Sequence, residues 1–353
     1  MATTNNEYNV DDEIATFFSK TTVVRETCHA LARELTASDR IEPVSIQGVC
    51  SYTLYAGDEL QNVIQFRLKS LGLKLETSTL ARQIYGDLVS DTKFIQQLGE
   101  DSTTDGRQPL LVYNMTRIQG ISRLDFILAK GFPENSLENK LWRKNLIQDV
   151  ARFFSLTWTS PQPISQSHRA HLFTTYRTDL QTLLTTLPPR FHPTIQHTLA
   201  SLPTVFRLPM VLLHKDFNEC NILVHPTTCH LAGVIDWAEA EIGPFGTNLH
   251  SLQGLMSKLH LRDGWVRYED YDDLVRAFWG TFGAETGVQD DETVRAIRTA
   301  RAVGLLRSRG FAGRIGGGAA PEPIRDDERG RYNLMILEGL LLSPGTRFED
   351  VVA

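Results

Sequence analysis

The hydrophobic pattern of this chain changes its period once, and that change limits what the chain can fold into. Between residues 44 and 67, apolar residues fall in short alternating runs separated by turn signals such as Gly57-Asp58, a pattern typical of strands. From Leu137 onward they recur mainly at helical spacing. The sequence therefore predicts an α+β fold of two lobes, with a small sheet lobe before a larger, mainly helical lobe.

The smaller lobe is expected to contain five strands and one helix. Gly86 follows a stretch of helical spacing, in the position of a C-cap that ends the helix. The predicted elements are three strands within 44–67, a helix over 73–85 and two strands over 93–95 and 109–113. The residues before Pro43 have the pattern of a polar tail and a helix. We therefore place one helix after the third strand of a five-stranded sheet.

The larger lobe is expected to be helical around three short strands. A strongly amphipathic helix over 141–158 ends before Pro161. The further elements are helices over 171–187 and 193–202, strands over 210–213, 222–224 and 231–235, helices from Pro244 to about Arg309, a Gly-rich loop over 307–323 and a last helix over 332–342. The chain thus divides into a tail and helix (1–40), a sheet lobe (41–115), a helical lobe (116–310) and a C-terminal loop and helix (311–353).

The composition argues against several classes of partner. With 36 Lys and Arg against 42 Asp and Glu, the 353-residue chain carries a net charge of -6, so no general positive field would attract nucleic acid. No apolar run approaches the roughly 20 residues that span a bilayer, and the first residues are acidic where a secretory signal would be basic. Four cysteines are too few for a disulfide framework. We expect a cytoplasmic protein that acts on neither nucleic acid nor membranes, and its oligomeric state stays open.

The most informative polar residues follow two buried strands. His214, Asp216 and Asn221 form the pattern His-x-Asp-x-x-x-x-Asn after the first strand, and Asp236 ends the second in Val-Ile-Asp-Trp. Phosphoryl transfer from a nucleotide requires a carboxylate beside the acceptor hydroxyl and oxygen ligands for the Mg²⁺ that bridges the phosphates. Asp216 suits the first role, and Asn221 and Asp236 suit the second. A loop between strands can hold such short side chains around one point.

Each of these residues has an ordinary alternative role. Asp and Asn commonly form turns or cap helices, so that only their combination favours a catalytic site. His214 is a candidate catalytic residue beside Asp216, but at the buried start of the loop we expect it to brace the loop by hydrogen bonding rather than to take part in chemistry.

Two other clusters allow different interpretations. Cysteines and histidines are dense around the loop, but their spacings, Cys-x8-Cys and His-x4-His, are not those of a closed zinc site. The residues concerned are His214, Cys220, His225, Cys229 and His230. Acidic residues within 269–273 precede a predicted helix, where they complement its dipole. A pocket for a cationic substrate is the alternative interpretation of this acidic group.

The two catalytic segments resemble the catalytic loop and metal-binding aspartate of aminoglycoside phosphotransferase-like enzymes, the small-molecule branch of the protein-kinase-like fold that also holds choline kinases. The order of elements agrees over roughly residues 40–310, and stretches such as Gly-Pro-Phe-Gly-Thr-Asn-Leu look like a fungal group of mostly unassigned substrate. The resemblance implies ATP and Mg²⁺ as cofactors and a hydroxyl group of a small molecule as acceptor. Asp216 would orient and deprotonate that hydroxyl, and Asn221 and Asp236 would bind Mg²⁺ in a cleft between the lobes.

The resemblance also implies a nucleotide site in the sheet lobe. The family holds the phosphates with a basic residue on the third strand, which pairs with a Glu on the following helix. Here that strand has the sequence Val-Ile-Gln-Phe-Arg, without a lysine. We therefore expect Arg67, or Gln65 on the same face, to contact phosphate, and Glu76 to hold Arg67.

Three further residues belong to the implied nucleotide site. Ser51 adds a hydroxyl to the loop 47–52, which has a single glycine where backbone N–H groups would cover the phosphates. Tyr113 and Met115 follow the predicted fifth strand, where the family's hinge would present backbone groups to adenine.

The chain departs from the family in ways that leave a second function open. Besides the missing lysine and the single glycine, Asn248 stands where the family more often has an Asp that braces the catalytic loop. These departures suggest, as an alternative, a catalytically weak or inactive, pseudokinase-like binding module of the same fold. A protein kinase is disfavoured, because Trp237 rather than Phe-Gly follows Asp236 and no recognisable activation segment comes after it.

Overall fold

The structure, a computed structural model, describes residues 9–101, 106–312 and 321–348. These residues form two compact units. Of the described residues, unit 1 contains those up to 82 and those within 90–118, and unit 2 contains residues 83–89 and those after 118.

Unit 1 is a five-stranded antiparallel sheet with three helices. The strands lie in the order β1-β2-β3-β5-β4, and alternate residues of β2 and β3 are buried, as a half-buried strand requires. The elements are α1 (Val10–Phe18), α2 (Arg25–Thr36), β1 (Ile41–Pro43), β2 (Ser51–Ala56), β3 (Asn62–Leu68), α3 (Leu75–Tyr85), β4 (Thr92–Leu98) and β5 (Leu110–Thr116). The predicted sheet with a helix after its third strand is confirmed.

Both N-terminal helices pack against the sheet. Phe17 of α1 and Leu31 of α2 belong to the same buried cluster as Tyr52 and Phe66 of the sheet. The sequence pattern set residues 1–40 apart as a tail and one helix. In the structure, the described part of this segment forms two helices that share the core of the sheet.

Unit 2 is mainly helical, as predicted, and contains several short strands. Its elements are β6 (Ile121–Ser122), α4 (Arg123–Lys130), α5 (Leu137–Trp158), α6 (Gln166–Thr186), α7 (His192–Val205), β7 (Met210–Leu213), β8 (Ile222–Val224), β9 (Leu231–Val234), β10 (Glu241–Pro244), α8 (Gln253–Met256), β11 (Ser257–His260), β12 (Gly264–Arg267), α9 (Tyr271–Thr286), α10 (Asp291–Arg309), β13 (Phe311–Ala312), β14 (Glu322–Pro323) and α11 (Arg331–Leu341). None of the helices in the described ranges is long and apolar enough to cross a lipid bilayer.

Two strand pairs frame the loop of residues 214–221, which we call the catalytic loop. β7 pairs with β10, and β8 pairs with β9, so the loop begins and ends on paired strands. All four residues of β7 are buried, which anchors the start of the loop in the core of the unit. Asp236 lies two residues after the end of β9. The pairing of β8 with β9 therefore brings the end of the loop next to Asp236.

The segment after Pro244 is not continuously helical, and the sequence-based expectation was wrong here. β11 and β12 form an antiparallel hairpin in which Leu259 lies opposite Trp265. Gly264 starts the second strand with a φ of +74°, which glycine adopts without a Cβ clash. Strands this short do not stand out from the helical pattern around them. The ends of the Gly-rich segment pair as β13 and β14, and the loop predicted between them lies, over 313–320, outside the described residues.

Helix α10 approaches the backbone after β10 very closely at Gly304. A Cβ atom at this position would lie 1.6 Å from the carbonyl oxygen of Thr247, so a side chain cannot be accommodated without moving the backbone. The contact ties α10 to the segment that follows the partner strand of β7.

Candidate active site

Asp216 lies exposed on unit 2, with both carboxylate oxygens held by amide groups. Asn218 Nδ2 donates to Oδ1 at 2.6 Å, and Asn221 Nδ2 donates to Oδ2 at 2.8 Å. Asn221 Nδ2 also donates to the backbone carbonyl of Asp216 at 2.8 Å. A carboxylate can accept about four hydrogen bonds, so each oxygen keeps capacity for another donor. The carboxylate is therefore oriented and remains open to a hydroxyl group.

The catalytic loop is shaped by a turn around Asn218, which the sequence analysis did not single out. The N–H groups of Asn221 and Ile222 donate to the Asn218 carbonyl at 3.0 and 3.1 Å, and the Cys220 N–H donates to Asn218 Oδ1 at 2.8 Å. Phe217, 1% exposed, anchors the preceding residue in the core. An Asn that hydrogen-bonds the backbone two residues on is an Asx-turn, so the sequence Asp-Phe-Asn-Glu-Cys already contained this signal.

Asn221 and Asp236 present oxygen atoms that suit a metal ion. Because Nδ2 of Asn221 is bound to Asp216, its Oδ1 faces no donor in the described part of the chain. The exposed Asp236 carboxylate likewise has no hydrogen-bond or ion-pair partner within the described ranges. The two residues are neighbours, because the Ile235 N–H donates to the Asn221 carbonyl at 3.0 Å. Mg²⁺ in nucleotide enzymes typically takes one or two such ligands and completes its shell with phosphates and water, so these residues fit the ion.

The backbone at Asp236 is in the left-handed region, with a φ of +62°. Few residues other than Gly, Asn and Asp adopt this conformation. The next residue, Trp237, is 6% exposed, and its Nε1 donates to the carbonyl of Val234 at 3.0 Å. The buried indole ring therefore anchors the turn, while the Asp236 carboxylate stays at the surface.

His214 is 2% exposed and links the two segments of the site. Its Nε2 donates to the carbonyl of Ile235 at 2.8 Å, and its Nδ1 accepts from the backbone N–H of Asp216 at 3.3 Å. Both contacts require a neutral imidazole with its proton on Nε2. Burial lowers the pKa of His214, which favours this neutral form. His214 thus holds the residue before Asp236 against the start of the catalytic loop.

An aromatic cluster packs behind the catalytic loop. Tyr85 stacks on Phe153 with ring centroids 4.2 Å apart, and Phe217 of the loop lies 5.6 Å from Phe153. Trp237 lies 5.1 Å from Tyr85 and 4.7 Å from the ring of His214. Aromatic contacts of this kind stabilise packing beyond the area they bury. This support could not be predicted from the sequence, because no spacing pattern relates residues so far apart along the chain.

Asn248 does not brace the catalytic loop as the resemblance implies. Its side chain is 4% exposed, and its Oδ1 has no hydrogen-bond partner among the described residues. A buried acceptor without a donor costs about 1–3 kcal/mol. The loop is instead connected to the turn at Asp236 by His214 and by the backbone hydrogen bond between Ile235 and Asn221.

The residues predicted for a nucleotide site in unit 1 make other contacts than expected. Arg67 is 8% exposed; its Nε donates to the carbonyl of Leu71 at 2.7 Å and its Nη1 donates to Gln65 Oε1 at 3.2 Å. Glu76 is exposed in the first turn of α3 and forms no ion pair with Arg67 in the described structure. The expected Arg67–Glu76 pair is therefore not formed, because the guanidinium group is bonded to the segment after its own strand. Gln65 and Arg67 share one face, as the alternation predicted.

The other three residues predicted in unit 1 lie within the sheet. Ser51 is 5% exposed at the start of β2, with its hydroxyl 3.5 Å from that of Thr53. Tyr113 and Met115 lie inside β5, which pairs with β3 on one side and β4 on the other. The expected position after the strand was wrong, because β5 continues to Thr116. Neighbouring strands, rather than a ligand, therefore take the backbone hydrogen bonds of Tyr113 and Met115.

The structure also shows how the Cys and His residues around the loop and the acidic residues within 269–273 are arranged. Within the described ranges, no three His, Cys, Asp or Glu side chains lie close enough together to hold a metal ion. In the acidic group, Asp270 forms a buried ion pair with Arg143 at 2.9 Å, and Glu269 pairs with Lys140 at 3.0 Å. Asp273 pairs with Arg276, so cations of the chain itself neutralise three of the four acidic residues that were considered as a pocket for a cationic substrate. Asp272 forms no ion pair within the described ranges.

Solved structures of aminoglycoside phosphotransferases share the fold of this chain. A putative aminoglycoside phosphotransferase from Ralstonia eutropha is 14% identical over 89% of this chain and 96% of its own, with a TM-score of 0.52. The GDP complex of wild-type aminoglycoside 2'-phosphotransferase-IIIa is 16% identical over 89% of this chain and 96% of its own, with a TM-score of 0.50. At these identities the likeness shows the fold alone, which is the predicted α+β, protein-kinase-like fold.

The sequence itself identifies the family. The model of the phosphotransferase enzyme family (APH) matches residues 105–281, half of the chain, and this range includes the catalytic loop and Asp236. The chain therefore belongs to the phosphotransferase enzyme family, as the resemblance of its loop predicted. A search of curated proteins by sequence gave no match.

Proposed function

We propose that this protein transfers the γ-phosphoryl group of ATP, in the presence of Mg²⁺, to a hydroxyl group of a small molecule. The observation that carries the proposal is the environment of Asp216, whose two oxygens are each held by an asparagine amide while the carboxylate stays exposed. Membership of the phosphotransferase enzyme family supports the same class of reaction.

Asp216 acts on the acceptor in this proposal. Its carboxylate accepts a hydrogen bond from the acceptor hydroxyl and thereby directs the oxygen toward the γ-phosphorus. As the new oxygen–phosphorus bond forms, the bond between the γ-phosphorus and the β–γ bridging oxygen breaks, and its electron pair leaves with ADP. The hydroxyl proton passes to Asp216. The amides of Asn218 and Asn221 keep the carboxylate in position throughout.

Asn221 and Asp236 would hold Mg²⁺ through the Oδ1 atom and the carboxylate described above. When bound, the ion neutralises charge on the phosphates during transfer. Arg67, or Gln65 beside it, would contribute to the nucleotide site, with Ser51 adding a hydroxyl. Arg67 already donates from Nε to Leu71 and from Nη1 to Gln65, so Nη2 is the guanidinium nitrogen left for a phosphate.

A binding module without turnover is the second candidate. Two observations favour it: the unpaired Oδ1 of Asn248 and the hydrogen bonds that keep Arg67 on its own segment. In this case Mg²⁺-ATP would bind without transfer of its phosphoryl group.

Single-turnover transfer from labelled ATP to a panel of hydroxylated metabolites tests the proposal. We expect transfer by the wild-type chain and a loss of about 10²–10⁴-fold in rate for Asp216→Asn, because the variant loses the base but keeps the shape of the side chain. Asp291→Asn, which alters an exposed carboxylate in the first turn of α10, is the matched control and should keep the wild-type rate.

Thermal unfolding with and without Mg²⁺-ATP separates the two candidates. A Mg²⁺-dependent stabilisation that Asp236→Ala abolishes, together with transfer, supports the enzyme. Equal transfer by Asp216→Asn and the wild type would refute the assigned role. Binding of nucleotide with no transfer to any acceptor would favour the binding module.

A further inference from the structure

A cavity of about 490 Å³ in unit 2 begins at the catalytic loop. Asn218, Glu219 and Cys220 of the loop form part of its wall, and the rest comes mainly from α4, the β11–β12 hairpin, α10 and α11. Asn218 also holds the carboxylate of Asp216. A molecule in this cavity would therefore lie next to the candidate catalytic residue, where the acceptor of the proposed reaction has to be.

Arg123, the first residue of α4, lines this cavity and is 6% exposed. Its side chain forms no hydrogen bond or ion pair with any described residue, and its Nε is fully buried. Its guanidinium carbon lies 5.8 Å from the ring centre of Phe126, which offers a weak contact only. Taking a cation out of water is costly unless an anion or hydrogen-bond acceptors replace the water. Arg123 is therefore a buried cation whose counter-charge the described chain does not supply.

Two other cations of the cavity show what a structural role looks like in this protein. Arg143 forms a buried ion pair with Asp270 at 2.9 Å. Lys258 pairs with Glu134, another residue of the cavity wall. In both cases the chain places a carboxylate directly against the cation. No carboxylate of the described chain pairs with Arg123, which distinguishes it from Arg143 and Lys258.

The remaining unpaired groups of the cavity add positive charge and donors. Within the described ranges, the side chains of Arg309 and Glu219 form no ion pair or hydrogen bond. Together with Arg123, the cavity wall therefore contains two unpaired cations and one unpaired carboxylate. Trp265 Nε1 is buried in the same wall without an acceptor. Burial, with the nearby Arg309, lowers the pKa of His250 to about 3, so this residue stays neutral. The wall is thus short of negative charge and of acceptors.

We propose that the acceptor alcohol carries an oxyanion, either a carboxylate or a phosphate ester, and that this group pairs with Arg123. The inference rests on the proposed function, because it names the acceptor of that same reaction. The hydroxyl oxygen of the acceptor bonds to the γ-phosphorus, its proton passes to Asp216, and ADP leaves with the electron pair of the broken bond, while the oxyanion stays paired and unchanged. A polycationic acceptor would instead place like charges against Arg123 and Arg309.

Four probes with one three-carbon skeleton test the charge of the acceptor: glycerate, glycerol 3-phosphate, uncharged glycerol and cationic serinol. We expect titration calorimetry on the full chain to show binding of the two anions at least about tenfold tighter than that of glycerol or serinol. The comparison of glycerate with glycerol 3-phosphate shows which oxyanion is preferred. Transfer from Mg²⁺-ATP to each probe is measured in parallel.

Variants of Arg123 test the assigned partner. Arg123→Met should weaken binding of the anionic probes about 10- to 100-fold and leave that of glycerol unchanged, and Arg123→Lys should restore part of the loss. Arg262→Met, which removes an exposed arginine from the turn of the β11–β12 hairpin, is the matched control and should bind like the wild type. Arg123→Met removes an unpaired buried charge, so we expect it to unfold at the wild-type temperature or above.

Three results would overturn the inference: neutral or cationic probes that bind as tightly as the anions, anion binding unaffected in Arg123→Met, or no binding of either anion at millimolar concentration. Failure of the proposed function has a different signature. It would appear as Arg123-dependent binding of anions with no transfer of phosphate from ATP. Transfer to neutral or cationic alcohols would support the function and refute the inference about the acceptor.

Discussion

The catalytic loop of unit 2 and strand β3 of unit 1 both hold a charged side chain with two hydrogen-bond contacts to neighbours in sequence. Around Asp216, the donors are Asn218 and Asn221, and they leave the carboxylate exposed. Around Arg67, the acceptors are Leu71 and Gln65, and the residue as a whole is 8% exposed. Local hydrogen bonds thus orient the Asp216 carboxylate at the surface, whereas they hold Arg67 in a buried position.

Unused hydrogen-bonding capacity at the surface, rather than membership of a motif, therefore marks a group that is ready to bind a ligand. Asp216 and Asp236 keep acceptor capacity at the surface, whereas Arg67 is buried and two of its three guanidinium nitrogens already donate to Leu71 and Gln65. We therefore expect activity to depend more strongly on the catalytic loop than on Arg67.

The largest effect is expected from removing an amide in the catalytic loop. Asn221→Ala deletes both hydrogen bonds that Asn221 makes to Asp216 and one of the proposed oxygen ligands of Mg²⁺, so we expect kcat to fall about 10²–10³-fold. Gln65→Ala removes the corresponding amide beside Arg67 and should lower kcat less than about tenfold. Steady-state kinetics of both variants provide the measurement. Equal losses in the two variants would show that the two regions do not differ.

A smaller effect is expected at Arg67 itself. Arg67→Met should raise the KM for ATP about tenfold and leave kcat nearly unchanged, because a contact made equally in the ground and transition states affects binding only. Arg33→Met, which changes an exposed arginine of α2 in the same unit, is the control. A fall in kcat as large as that of Asn221→Ala would contradict the comparison and give Arg67 a role in the transfer step.

The smallest effect concerns pH and two histidines, one in each unit. Burial lowers the pKa of His214 and, with help from Arg25 and Arg33, also that of half-buried His29. Below the usual histidine pKa of about 6.5, the unfolded chain therefore binds more protons than the folded chain. The free energy of unfolding then decreases as the pH is lowered, by at most about 1.4 kcal/mol per pH unit for each histidine.

Chemical denaturation at pH 7, 6 and 5 measures this pH dependence. His214→Gln should remove about 1–2 kcal/mol of it, and His29→Gln less, because His29 keeps more contact with water. At about pH 8 and above, neither histidine contributes to the pH dependence, because both are almost entirely neutral in the folded and the unfolded chain. If His214→Gln and His29→Gln reduced the pH dependence of the free energy of unfolding equally, the site in unit 2 would be no more enclosed than the surface of unit 1 around His29.

The fold and the catalytic loop could be predicted because their signals are local. A buried strand followed by polar residues placed β7, β8 and the loop correctly, and the family match supports the resemblance on which the function was based. The β11–β12 hairpin was missed because each strand has four residues, too few to establish a period of two.

Contacts between distant residues could not be predicted in the same way. The Arg67–Glu76 pair was inferred from two elements that follow each other, but the side chain of Arg67 bonds to the segment between them. The cluster of Tyr85, Phe153 and Trp237 depends on how three separate segments pack, which spacing does not encode. Likewise, only the three-dimensional structure reveals that a buried cation lacks a counter-charge.

The position of β5 between β3 and β4 in the sheet has a consequence for work with fragments. The family match begins at residue 105, after β3 and β4, and stops at residue 281, before α10. A fragment with these limits would carry β5 with both edges unpaired, and open strand edges recruit other chains. It would also lose the close contact of Gly304 with Thr247. The segment by which the family is recognised is therefore not an autonomous folding unit, and we expect it to aggregate when expressed alone.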